Sequence, residues 1–312
     1  MGNEASNPPR MWLVHLALLT VALIYGGNYT IAKSLMHGLF PPFALILMRI
    51  GGAFIVFISI HSLFIKEKIS SRSDYLRLLI CAIFGVATNM LCFFKGLSMT
   101  SPVNASIIMT INPILVLTFS ALWLSEALGK WKILGIILGM IGAISQVLDP
   151  FGIAKEVDGI NWKGDLLVLC NASCYAVYLV AVKPLMKKYN ALTVLKWTFM
   201  FGLILVLPFG LSEWSEINWS AMKTSNWFQL SYVVLATTCL VYLLNAWALR
   251  HVSSSVVGSY IYLQPLLATL FAVLLAGYET SVYILIYASF IFLGVYFVSK
   301  KTTPTKLNPA DA

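Results

Sequence analysis

Amide and tyrosine side chains stand inside long apolar runs of this chain, where each needs a partner other than bulk water. Asn171, Tyr175 and Tyr178 recur at i, i+4 and i+7, so they share one helix face. Tyr242 and Asn245 are three apart in another run, with Trp247 just beyond. Tyr25, Asn28, Asn89, Asn104 and Tyr260 belong to the same class. Rings and amides gathered in an apolar setting can stack on and hydrogen-bond a small organic molecule. Taken singly, each reads first as a tie between neighbouring helices.

Charge is rarer inside these runs, and costs more. A charged side chain near the centre of a membrane helix costs about 2.5–3.5 kcal/mol on insertion scales, which makes it a functional hypothesis by default. Lys33, Lys95 and Lys196 lie near the ends of their runs, within snorkelling reach. Arg49 lies seven residues past Pro42, hence about 10 Å deep at 1.5 Å per residue. It reads equally as a partner for helix carbonyls and as a gate or substrate contact. If Lys33, Arg49 and Lys95 converge, the site favours a carboxylate or phosphate.

One stretch occurs twice. Residues 97–115 read LSMTSPVNASIIMTINPIL, and residues 249–267 read LRHVSSSVVGSYIYLQPLL. Each has a Ser-containing turn and then an apolar helix carrying an amide followed by proline: Asn112-Pro113 and Gln264-Pro265. Proline removes a backbone donor and opens the helix at the preceding turn. In lipid such a break persists only where protein, water or ligand satisfies the freed groups. Matching breaks in two halves point to a binding site near the membrane midplane.

The elements that must position these residues follow from composition. The 312 residues are 59% hydrophobic and 11% charged, against about 25% charged in soluble chains. The mean hydropathy is +0.85. The chain reads as an all-α membrane protein embedded in a lipid bilayer. Its net charge of +9 sits in short connections, so nucleic acid is not expected as a partner. The five cysteines all fall within apolar runs, which argues for buried thiols, and neither a metal nor a cofactor is expected. No phosphate-cradling loop, zinc-protease motif or nucleophile elbow is found, so the chain is not read as an enzyme.

With about 20 apolar residues per crossing, ten spans are expected, near 11–32, 43–65, 77–98, 102–124, 131–149, 164–185, 191–211, 227–249, 253–276 and 280–299. Placing the N-terminus inside collects Lys66, Lys68, Arg72, Arg77, Lys130, Lys132, Lys183, Lys187, Lys188 and Arg250 in inner connections. Lys155, Lys163 and Lys223 fall outside. By the positive-inside rule both termini are then cytoplasmic. Five spans per half is an odd number, so residues 11–149 and 162–299 form inverted five-helix repeats, joined by an outer linker at 150–161 and followed by a cytoplasmic tail at 300–312. Gly135, Gly139 and Gly142 form a small-residue stripe for close helix packing.

The ordered set of features resembles the EamA type of the drug/metabolite transporter superfamily. It runs from Ile24-Tyr25-Gly26-Gly27-Asn28-Tyr29 and Lys33, through Pro41-Pro42 to Arg49. It continues with the segment from Lys95 to Ala105, Asn112-Pro113, Leu124-Ser125-Glu126 and the three glycines. The second half matches at Ala248 to Ser255, at Gln264-Pro265 and at Glu279. The family's usual Trp-Gly is Tyr25-Gly26 here, and Lys95 stands where many members have an apolar or aromatic residue. The resemblance implies a plasma-membrane carrier that moves a small metabolite by alternating access, with amino-acid export as the first choice. Import of a sugar or anionic metabolite, and a non-transporting scaffold or sensor, are the alternatives. A homodimer is left open. The expected cavity lies between spans 1, 3, 4, 6, 8 and 9, and takes its substrate contacts from Tyr25, Asn28, Arg49, Asn89, Lys95, Asn112, Asn171, Tyr175, Tyr178, Tyr242, Asn245, Trp247, Tyr260 and Gln264.

Overall fold

A computed structural model describes residues 10–100, 105, 108–125, 129–147, 162–276 and 284–300. The expected linker 150–161, most of the tail, Asn104, Glu126 and Glu279 lie outside the described residues. Numbered in chain order, the helices are α1 (Met11–Met36), α2 (Pro42–Phe64), α3 (Arg72–Met99), α4 (Asn112–Leu124), α5 (Lys130–Val147), α6 (Trp162–Lys188), α7 (Ala191–Ser212), α8 (Thr224–Leu249), α9 (254–276) and α10 (Ile284–Ser299). No strand occurs among the described residues. Helices α1, α2, α3, α6, α7 and α8 are long and apolar enough to cross a membrane, and α4 and α10 contain shorter apolar helices. Leu63, Phe64, Leu122 and Ile204 stand exposed on the bundle's outer face, as expected where lipid rather than water is the solvent. The chain is a helical, multi-pass membrane protein.

The local sequence sets each helix start. Pro42 opens α2, where a missing amide proton costs nothing. Ser71, Asn190 and Ser253 cap α3, α7 and α9 by accepting from Ser73, Leu192 and Val256 amides. Two further caps cross between the halves. Glu213, after α7, accepts from the Phe43 and Ala44 amides at the start of α2 (2.6 and 3.3 Å). Glu67, after α2, accepts from the amide of Asn190 at the start of α7 (2.8 Å). A carboxylate at a helix N-terminus answers both the free amides and the dipole.

Packing follows the same exchange. Helix α3 lies on α6 as α8 lies on α1, and α4 lies on α6 as α9 lies on α1. Helix α2 pairs with α7, and α5 with α10. The glycine stripe serves the last pair: a Cβ at Gly135 would stand 2.6 Å from the Gly294 carbonyl oxygen. A Cβ at Gly52 of α2 would meet Val234 of α8 at 2.8 Å, and one at Gly202 of α7 would meet Val86 of α3 at 2.4 Å.

The amide–proline helices break where the prolines require it. Thr110 and Ile111 form a turn just before Asn112 and Pro113. A single 3-10 turn, Tyr260–Tyr262, precedes Gln264 and Pro265. A second pair of irregularities has no proline to announce it. Helices α3 and α8 each widen into a π segment, at Ile83–Ala87 and Tyr232–Leu240. The pairing that sets Leu97 on Leu249 sets Gly85 on Thr237, inside both segments.

Candidate functional site

The π segments lie just before two lining residues of the site, Asn89 and Tyr242. A π turn misaligns the backbone ladder and leaves carbonyls in need of donors, and such turns concentrate at functional sites. Here the donors come from the opposite half. The Tyr242 hydroxyl donates to the Gly85 carbonyl at 2.7 Å. Arg49 Nη2 donates to the Thr237 carbonyl at 3.3 Å, and its Nε to Thr238 Oγ1 at 2.5 Å. Thr238 in turn donates to the Val233 carbonyl at 2.8 Å. The guanidinium carbon also lies 5.3 Å from the centre of the Phe94 ring.

Beside these bonds is a cavity with about 60 Å³ of space for water-sized molecules, room for a few of them. Tyr25, Asn28 and Tyr29 line it from α1, Arg49 from α2, and Asn89, Met90, Phe93 and Phe94 from α3. Met109 precedes α4, while Asn171 and Tyr175 come from α6, Tyr242 from α8 and Gln264 from α9. Asn28, Arg49, Asn89, Asn171 and Gln264 are all less than one-tenth exposed. Gln264 Oε1 accepts from the Tyr29 hydroxyl at 3.0 Å. Asn89 and Asn171 exchange bonds, each side-chain amide donating to the other residue's backbone carbonyl at 3.2 and 2.9 Å. Asn28 Oδ1 and Asn171 Oδ1 are buried without a partner among the described residues.

Eight of the expected contacts therefore share one cavity: Tyr25, Asn28, Arg49, Asn89, Asn171, Tyr175, Tyr242 and Gln264. The other six are held elsewhere. Asn112 is fully buried behind the wall, where Nδ2 donates to the Ala172 carbonyl at 2.6 Å and ties α4 to α6. Asn245 donates to the Tyr175 hydroxyl at 3.0 Å and so braces a lining residue. Tyr178 packs between Gly85 and the Tyr242 ring. Tyr260 bonds His15 at 2.7 Å. Trp247 tilts against His251, and Lys95 lies 5.7 Å from the Phe43 ring centre.

The three outer cations do not converge. Lys33 Nζ donates to the Leu97 and Thr100 carbonyls at 2.8 and 2.7 Å, neutralising the C-terminal end of α3. Arg49 is the one Lys or Arg among the lining residues. It enters from α2, a helix absent from the expected wall. No spacing marks Tyr29, Met90, Phe93, Phe94 and Met109 in advance, because aromatic and Met side chains in an apolar run look like ordinary core.

A separate polar network lies toward the end of the bundle that carries Lys66, Lys68 and Lys187. Lys188 pairs with Asp74, which also accepts from the Tyr189 hydroxyl at 2.7 Å. Arg250 donates to the Tyr189 carbonyl, and the Tyr189 hydroxyl accepts from the Ser70 amide at 3.1 Å. These bonds join the α2–α3 connection to the α6–α7 and α8–α9 turns. Among the described residues, no group of three or more His, Cys, Asp or Glu side chains is arranged to hold a metal ion.

Comparison with known proteins agrees with this architecture. The model of the EamA-like transporter family matches residues 12–147 and again 162–300. The chain is 25% identical over 301 residues to an uncharacterized transporter, YyaM, of Bacillus subtilis (strain 168), covering 96% of this chain and 97% of that one. It is 26% identical over 291 residues to an uncharacterized transporter of Archaeoglobus fulgidus, covering 92% and 97%. A WAT1-related protein of Arabidopsis thaliana is 24% identical over 321 residues, covering 93% and 86%. One solved crystal structure superposes with a TM-score of 0.73 at 18% identity, over 92% of this chain and 96% of that one, and supports the fold. Matched along almost its whole helical body, the chain belongs to the EamA-like transporter family, and it is a membrane transporter rather than an enzyme.

Proposed function

We propose that this protein is a secondary transporter of the plasma membrane that exports a small polar metabolite, an amino acid or a related compound, by alternating access. In this reading residues 11–149 and 162–299 are inverted five-helix repeats, and both termini are cytoplasmic. The observation that carries it is the cavity itself: buried amides and a cation enclosed by helices of both halves, with acceptors left open for a ligand. Reciprocal packing and the exchanged caps support two nearly equivalent arrangements of the halves, the physical basis for opening to either side. The network around Asp74, Lys188, Tyr189 and Arg250 lies on the basic side, so it is read as the cytoplasmic closure.

The test compares metabolites released by cells overproducing the intact protein with those released by cells overproducing Gln264→Ala. A compound enriched outside only with the intact protein is expected. Equal enrichment with both would remove Gln264 from the site, and no enrichment over empty cells would count against export.

A further inference from the structure

We propose that the cargo carries a single carboxylate, and that this group docks on Arg49. The inference rests on the cavity being the transport site and narrows what that site accepts. Three observations carry it.

Arg49 is only 4% exposed and has no carboxylate partner among the described residues. Two of its nitrogens are committed to α8, Nε to Thr238 and Nη2 to Thr237. No hydrogen bond is found for its Nη1 among the described residues, and the residue lines the cavity. These two bonds alone do not explain a full positive charge here, because neutral donors would satisfy Thr237 and Thr238 without the cost of burying an ion. A ligand carboxylate supplies the missing negative charge, and a charge-assisted bond to a buried guanidinium is of the strong kind.

The second observation sets the amount of charge. Lys33 is tied to the Leu97 and Thr100 carbonyls, and Lys95 lies against Phe43 outside the cavity. Only one cation remains to meet the ligand, which fits a monoanion and leaves a dianionic phosphate half-compensated. The third concerns the rest of the molecule. Among the lining residues there is no carboxylate or second cation, and the remaining wall is amide, aromatic and thioether. Asn171 Oδ1 faces no donor, and its orientation is fixed because Nδ2 bonds the Asn89 carbonyl. The part of the cargo beyond its carboxylate is therefore apolar or aromatic, with an N–H or O–H donor for that oxygen.

The test uses purified full-length protein in proteoliposomes. Thermal stabilisation and counterflow are measured with benzoate, leucine, benzamide, phenyl phosphate and glucose. Benzoate or leucine is expected to bind at least about tenfold better than benzamide and phenyl phosphate, the loss expected when a buried charge loses its partner. Arg49→Gln should erase the difference between benzoate and benzamide. Arg49→Lys keeps the charge and should retain the preference, which separates loss of the anchor from loss of the fold. Equal binding of benzoate and benzamide by the intact protein, tighter binding of phenyl phosphate, or no carboxylate binding at millimolar concentration would overturn the carboxylate anchor. Counterflow of glucose without carboxylate binding would reject the anchor and leave transport standing. Absence of counterflow with every probe would reject the transport reading as well.

Discussion

Helices α3 and α8 are built alike and finished differently. Each carries a π segment, at Ile83–Ala87 and Tyr232–Leu240, and in each a carbonyl at the matching position accepts from a side chain of the opposite half. On α3 the donor is the Tyr242 hydroxyl, and on α8 it is Arg49. The same contrast appears on α2 and α7. Arg49 stands three residues before Gly52, and Phe199 stands three before Gly202. Both glycines meet valines of a π segment, yet one companion is a cation on the cavity and the other a ring packed on Tyr242. The skeleton is shared, and the cation among the lining residues comes from one half. In the proposed reading, that arrangement would let the halves exchange positions while the ligand keeps one anchor.

Copying the second half onto the first should have the largest effect. Arg49→Phe removes the charge and leaves the Thr237 carbonyl unmet, so counterflow should fall at least about a hundredfold and stability by about 1–3 kcal/mol, the cost of an orphaned buried group. Transport near the intact rate would break the comparison. Overpacking the shared skeleton should act on both halves alike. Gly52→Leu and Gly202→Leu should each destabilise by about 1–3 kcal/mol in detergent melts, and a large cost at one site with none at the other would show unequal contacts. Tyr242→Phe should cost about 1–3 kcal/mol through the Gly85 carbonyl, measured the same way. The amide pair sharpens the contrast further. Asn112→Ala should lower stability by about 1–3 kcal/mol, because the Ala172 carbonyl loses its donor. Gln264→Ala should lower transport while the protein still folds. A reversed outcome, with Asn112 controlling transport, would put the site on the other wall.

Much of this frame was legible in the chain. Amide–proline pairs announce their own breaks, because a missing donor has one structural consequence. The face Asn171–Tyr175–Tyr178 was readable only in part, since a helix face two turns long spans both the cavity and the packing behind it. Tyr178 went to the packing. The cations misled because a lysine near a helix end can reach several targets, and only the three-dimensional neighbour decides. Lys33 reached the end of α3. The π segments left no sequence mark beyond small residues and paired threonines, Thr237 and Thr238, which also occur in ordinary helices. Asn104, Glu126 and Glu279 lie outside the described residues.

The most direct test of the two-sided cavity is labelling. In protein whose five cysteines are replaced by alanine, Asn28→Cys is exposed to a membrane-impermeant thiol reagent from each side of sealed vesicles in turn. Alternating access predicts modification from both sides, with Asp74→Asn speeding the reaction from the cytoplasmic face as the polar closure weakens. Modification from one face only, unchanged by Asp74→Asn, would contradict a carrier that turns this cavity from one side of the membrane to the other.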